Sequence, residues 1–136
     1  KNMAVDRIGD VRIQGAYAWR KLMDAGALIA NGSDFPVESP NPFFGLHASI
    51  TRQDKDNGPV GGWYPEERMT DSEAFASFTL DAAYSGFQES LLGSLEPGKK
   101  ADFIVLDRDI FAIPDSEIWQ AKALETWVNG SQVHGK

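Results

Sequence analysis

The sequence predicts an α/β chain that changes to antiparallel strands near residue 90. Three observations predict this. A helical apolar stripe is followed within a few residues by a short unbroken apolar run. A capping-box pattern then opens a second helix. Beyond residue 100, a strong strand and an Asn-Gly hairpin signal replace the helical periodicity.

Residues 1–15 are polar and without strong period, and Asp6 to Asp10 reads as a loop. Ala16, Trp19, Leu22 and Met23 fall at helical spacing, so a helix is expected over 16–25. Gly26 stands where a helix most easily ends, at a positive φ. Ala27-Leu28-Ile29-Ala30 has no polar alternation, which suits a strand over 27–31 covered on both faces. Asn31-Gly32-Ser33-Asp34 closes it. Pro36, Pro40 and Pro42 delay the next helix, expected from Phe44 to Arg52. From Gln53 to Met69 there is no period at all, and a loop of that length is expected to be a lid, a binding loop or disordered.

Thr70-Asp71-Ser72-Glu73 has the form of a capping box. The helix it opens should run to about Tyr84 with Ala74, Phe75, Phe78, Leu80 and Ala82 turned inward. Gly93 to Lys100 is turn-rich. Ala101 to Asp107 predicts a strand, and residues 127–133 predict two strand ends around Asn129-Gly130.

Composition narrows the function. Apolar residues make up 42% and charged residues 24%, which suits a globular chain rather than a disordered one. The formal charge of −7, with no basic cluster beyond Lys99-Lys100, argues against nucleic acid and against an anionic membrane as partner. No apolar run approaches the roughly 18 residues that span a bilayer. The absence of cysteine removes disulfides, thiolate metal sites and cysteine nucleophiles together. No signal peptide is visible, and the chain starts at Lys1 as though trimmed.

Asp34 is the leading candidate for chemistry, because catalytic groups gather just beyond the C-terminal ends of buried parallel strands. Gly32 would allow close backbone approach, and Ser33 could donate to the carboxylate. A metal ligand, a general base and a turn-capping Asp are all open readings of it. His47 and His134 are the two histidines, and no His-x-His or His-Glu-x-x-His spacing exists. An open catalytic zinc site needs about three protein ligands. These residues do not visibly supply them. Gly32-Ser33 is not in a nucleophile elbow, and Gly58 to Gly62 lacks the Lys-Ser/Thr of a P-loop. Trp63 and Tyr64 are candidate substrate contacts or loop pins. Arg52 and Arg68 are read as surface arginines, with anion anchoring as the alternative.

Three segments together resemble a known family. They are Tyr17 to Gly26, Asn31-Gly32-Ser33-Asp34-Phe35-Pro36-Val37, and Gly45-Leu46-His47-Ala48-Ser49-Ile50-Thr51-Arg52. In this order they are similar to the C-terminal part of amidohydrolase family 3, the YtcJ-like metal-dependent hydrolases. Gly93 to Asp107 resembles the tail of the wider amidohydrolase superfamily. The resemblance implies the last strand and flanking helices of a (β/α)8 TIM barrel over residues 1–90, followed by strands of a small composite β-sandwich over 91–136. It implies that Asp34 binds a divalent metal, zinc in most of the family, and moves the proton of the attacking water. The reaction implied is hydrolysis of a non-peptide C–N bond in a small amide-type substrate.

The resemblance also implies what is missing. The family's His-x-His, its middle-barrel ligand and its later histidines have no counterpart here, and such a barrel typically needs about 250 residues. The chain is therefore expected to be a C-terminal fragment, inactive and without bound metal by itself, and to self-associate through uncovered apolar faces. The alternative is a self-standing β-rich interaction module that keeps a barrel remnant. An upstream reading frame carrying His-x-His would favour the fragment. Asp102 is read as a structural carboxylate at the head of its strand.

Overall fold

A computed structural model describes residues 2–135. Five helices come first: α1 (Asn2–Arg12), α2 (Trp19–Asp24), α3 (Pro42–Thr51), α4 (Asp71–Ser77) and α5 (Leu80–Ser85). Three strands follow: β1 (Phe103–Leu106), β2 (Ala123–Val128) and β3 (Ser131–His134). They form one antiparallel sheet in the order β1-β2-β3. The mixed helix-then-sheet order agrees with the sequence. A second sheet that would complete a sandwich is not formed among the described residues.

Local signals decide most element ends. α2 closes with Gly26 N–H on Met23 O at 2.8 Å and Ala27 N–H on Leu22 O at 3.0 Å, with Gly26 at φ 90°. This is a Schellman stop of the expected kind. α3 starts two residues earlier than expected, because Pro42 takes a first-turn position and the Asn41 side chain accepts from Phe43 N. Asn129 and Gly130 both have positive φ, so the hairpin turn has the twist that matches its strands. Asn129 N–H donates to the Asp102 carboxylate at 2.6 Å, which makes Asp102 the structural carboxylate expected. Phe103 and Trp127 are cross-strand partners, and their rings stack at 5.5 Å.

Three expectations need correction. The segment from Asp6 to Asp10 is helical, with the helix broken only at Gly9 (φ 75°, ψ 168°). The predicted single helix over 70–84 is two. It breaks at Phe78-Thr79, where Thr79 takes φ −126° and ψ −89°. Ala74 is buried, but Phe75 and Leu80 are exposed, and Phe75 meets Phe111 edge-on at 5.5 Å. The predicted strand over 27–31 is not formed. Strand pairing needs a neighbour, and no described strand lies beside this segment. Leu28 is exposed, while Ile29 alone packs on the core.

The core is built around α3. Phe43, Leu46 and Ile50 pack with Met69 and Ala74 on one side, and with Ile110, Ile118 and Ala121 on the other. It thus draws on both sides of residue 90. Many apolar side chains remain outside it, with Val60, Phe87 and Val11 almost fully exposed. None of the described helices is long and apolar enough to cross a membrane.

Glu73 joins two jobs at the start of α4. Thr70 and Glu73 form the reciprocal capping box, and the same carboxylate pairs with Arg20 of α2. Hydrogen bonds from Arg20 hold the Glu73 carboxyl down at about 2, against a smaller upward push from burial, and Thr70 adds to the lowering. A carboxyl lowered on folding contributes stability above its ordinary value near 4.5 and loses that contribution as pH falls toward 2. Glu73→Gln is therefore expected to cost about 1–2 kcal/mol at pH 7, a figure reduced for the carboxylate's partial exposure. The gap from the unchanged protein should close between pH 4.5 and pH 2. Hydrogen exchange at the Ala74 amide, followed across that range, checks this. A gap independent of pH would contradict it.

Candidate active site

Asn31 positions the segment that leads to Asp34. Its backbone N–H donates to Ser77 O at 2.9 Å, and its side-chain Nδ2 donates to Ser77 Oγ at 2.9 Å and Ser49 Oγ at 3.3 Å. Ser49 and Ser77 are themselves buried and return their hydroxyl protons to Gly45 O and Ala74 O. This network fixes the end of residues 27–31 against α3 and α4 without a sheet. The sequence signal for it was weak, since the two hydroxyls lie 18 and 46 residues from Asn31.

Asp34 follows directly. It stands in an exposed turn with φ 51°, closed by Val37 N–H on Asp34 O at 2.8 Å. The left-handed region is one that Asp tolerates better than most residues. No side chain among the described residues, Ser33 included, donates to its carboxylate. It is thus presented to the surroundings rather than consumed in a cap.

Asn31, Gly32 and Ser33 line a broad concavity of about 1030 Å³. Its other walls come from the start and inner face of α3, from Trp19, and from Arg52 and Trp63. Asp34 is not among the lining residues, although its chain neighbour Ser33 is. Trp63 lines it. Tyr64 does not: it packs edge-on against Trp63 at 4.9 Å, and Tyr17 packs on Trp63 at 5.4 Å.

The segment over 53–69 is ordered by two arginines. Arg52 closes α3 in a left-handed conformation, and its Nε donates to Trp63 O at 3.0 Å. Arg68 donates from Nε to Thr51 O and from Nη2 to Gly61 O. Gly62 (φ 90°) is required where the loop crosses α3, since a Cβ there would lie 2.5 Å from Thr51 O. The reading of Arg52 as a surface residue is corrected: only 7% of it is exposed. Its guanidinium lies 4.4 Å from the Trp19 ring and 5.1 Å from the Trp63 ring. Burial holds its pKa below the ordinary value, partly offset by Glu67 and Glu66. Burial likewise pushes the Glu67 carboxyl up, but Lys21, with Nζ at 2.7 Å, outweighs it and the net displacement is downward.

His47 is not among the lining residues. It is 1% exposed, with Nδ1 2.9 Å from Asp115 O and Nε2 3.0 Å from Asp54 O. It ties α3 to the 54–58 loop and to the 3-10 turn at Asp115–Gln120. Among the described residues, no three His, Asp or Glu side chains lie close enough to hold a metal ion.

The sequence model of the Amidohydrolase family matches residues 1–134. The chain is 33% identical over 134 residues to YtcJ of Bacillus subtilis (strain 168), an amidohydrolase by name. That match covers 97% of this chain and 25% of YtcJ. It is 31% identical over 111 residues to the N-substituted formamide deformylase of Arthrobacter pascens, covering 82% of this chain and 20% of that protein. The crystal structure of an amidohydrolase from Thermotoga maritima MSB8 superposes with a TM-score of 0.63 at 21% identity, over 88% of this chain and 26% of that one. The chain thus spans about a quarter of the length of these relatives. Matched by the family model over almost its whole length, it belongs to the amidohydrolase family.

Proposed function

We propose that the protein carrying this chain is a metal-dependent hydrolase of non-peptide C–N bonds in small molecules, and that Asp34 is its proton-transfer carboxylate and one of its metal ligands. The observation that supports this most directly is the placement of Asp34. Asp34 is exposed, its carboxylate is without a donor among the described residues, and it follows Ser33 of the concavity wall, three residues beyond the Asn31 anchor. Family membership and a relative named for deformylating N-substituted formamides support the reaction class.

The described residues do not fit a metal ion by themselves, so the remaining ligands are read as coming from outside these 136 residues. Zinc is the metal proposed. When bound, such an ion polarises the carbonyl and lowers the pKa of water. Asp34 accepts the proton of the attacking water and returns it to the leaving nitrogen. Trp63 supplies an apolar wall for the substrate, and Tyr64 holds the Trp63 ring at its angle. Residues 1–90 are read as barrel-derived and 91–136 as part of the composite sandwich.

Asp34→Asn in the protein carrying this chain is expected to lower kcat/KM on an N-substituted formamide panel by about 10²–10⁴. Unchanged turnover would remove Asp34 from the chemistry. The 136-residue chain alone should show no stoichiometric, sub-micromolar zinc site by calorimetry. Finding one would contradict the assignment of the other ligands to the rest of the protein. Trp63→Ala should change kcat/KM unequally across substrates of different size, by about tenfold for the bulkiest. The same value for every substrate, before and after substitution, would show that the indole makes no substrate contact.

A further inference from the structure

Arg52 presents a problem that its surroundings leave unsolved. It is 93% buried by the exposure of 7% given above, yet its Nη2 is enclosed with no hydrogen-bond acceptor among the described residues. Trp19 and Trp63 lie within cation–π reach of the guanidinium, at 4.4 and 5.1 Å, and Nε is used by Trp63 O. The nearest buried acid, Glu67, is held by Lys21 Nζ at 2.7 Å and by the Lys21 backbone N–H at 3.3 Å. A buried cation with a bare donor is costly unless an acceptor completes it. The guanidinium charge and donors match the oxygens of a carboxylate, as they do those of a phosphate.

Arg52 also lines the same concavity as Asn31, Ser33 and Trp63. We propose that Arg52 is the anion anchor of this site, and that the preferred substrates carry a carboxylate at the end remote from the scissile C–N bond. This rests on reading the concavity as the substrate site. Trp63 would then act twice, as a wall for the substrate and as one of the rings that hold Arg52 in place. A carboxylate supplied by the rest of the protein is the competing occupant. It would already satisfy Arg52 and leave no preference for anionic ligands.

The test uses two probes of the same size, N-acetylglycine with a terminal carboxylate and N-acetylglycinamide with a neutral amide, titrated into the whole protein by calorimetry. The anion is expected to bind at least tenfold more tightly than the amide. Arg52→Gln should abolish that preference, and Arg52→Lys should retain part of it, with circular dichroism confirming that both variants fold. In turnover, Arg52→Gln should raise KM for N-formylglycine at least tenfold. KM for N-methylformamide, which has no carboxylate, should rise at least fivefold less, its change reporting only the loss of the Arg52 bond to Trp63 O. No preference in the unchanged protein, or a preference that survives Arg52→Gln, overturns the proposal. So does an equal loss on both formamides, which is what a purely structural arginine would cause. If the protein hydrolyses no C–N bond, the proposed reaction fails, but the binding comparison still decides the role of Arg52.

Discussion

Helix α3 buries six of its ten residues, and its buried polar groups reach different parts of the chain. Ser49 receives the Asn31 side chain, and Ser49 O receives Met69 N–H at the end of the long loop. His47 reaches Asp54 O and Asp115 O. Thr51 O receives Arg68 Nε, and the next residue, Arg52, closes the helix. A polar group in a packed core is tolerated only when its hydrogen bonds are made. Here each bond also fixes the position of a segment that has no regular structure of its own. Shifting α3 by even a fraction of a turn would break all of these ties together. That shared dependence is why the turn bearing Asp34 and the loop bearing Trp63 have a defined relation across the concavity.

The parts of the fold that were legible in the sequence are those decided by neighbours in the chain. Thr70 and Glu73 are three residues apart, and the capping box they predict is formed. Gly26 and the Asn129-Gly130 pair need only their own φ, and both stand where the pattern placed them. The strand over 27–31 was a different kind of inference. Its apolar run reports burial in a sheet, and a sheet is a property of several segments at once. Without a partner strand, the run is anchored through Asn31 instead. The break between α4 and α5 was illegible for a related reason. Periodicity over 74–82 fits one helix equally well, and nothing local marks Thr79 as the residue that leaves helical φ and ψ.

The candidate site divides in the same way. Asp34 was expected just beyond a buried strand; that strand is not formed, and Asp34 stands in an exposed turn. Trp63 and Tyr64 were adjacent letters with the same expected role, yet only Trp63 lines the concavity. Gly62 and the Arg52 bond to Trp63 O set the loop so that one ring faces in and the other packs behind it. Arg52 was the least legible. A single arginine after a helix most often caps it in solvent, and the burial that makes it unusual comes from Trp19, 33 positions back, and Trp63, 11 positions on.

Arg52 and Glu73 show how charge is distributed in this chain. The net charge of −7 reads as a solvated acidic surface, and most carboxylates fit that reading. The two acids at the α2 and α4 contacts do not. Glu73 takes Arg20, and Glu67 takes Lys21, so adjacent cations of α2 are both spent on structure. Arg68 is likewise spent, on one carbonyl oxygen at the end of α3 and one of its own loop. Arg52 has one main-chain carbonyl and two indole faces, none of which carries a formal negative charge. Glu67 and Glu66 act on it through their charge alone, and its Nη2 is left without an acceptor among the described residues, on a side chain that lines the concavity. In an acidic chain, the proposed anchor would select for anions by contrast as well as by contact, because the surrounding charge disfavours their binding elsewhere on its surface.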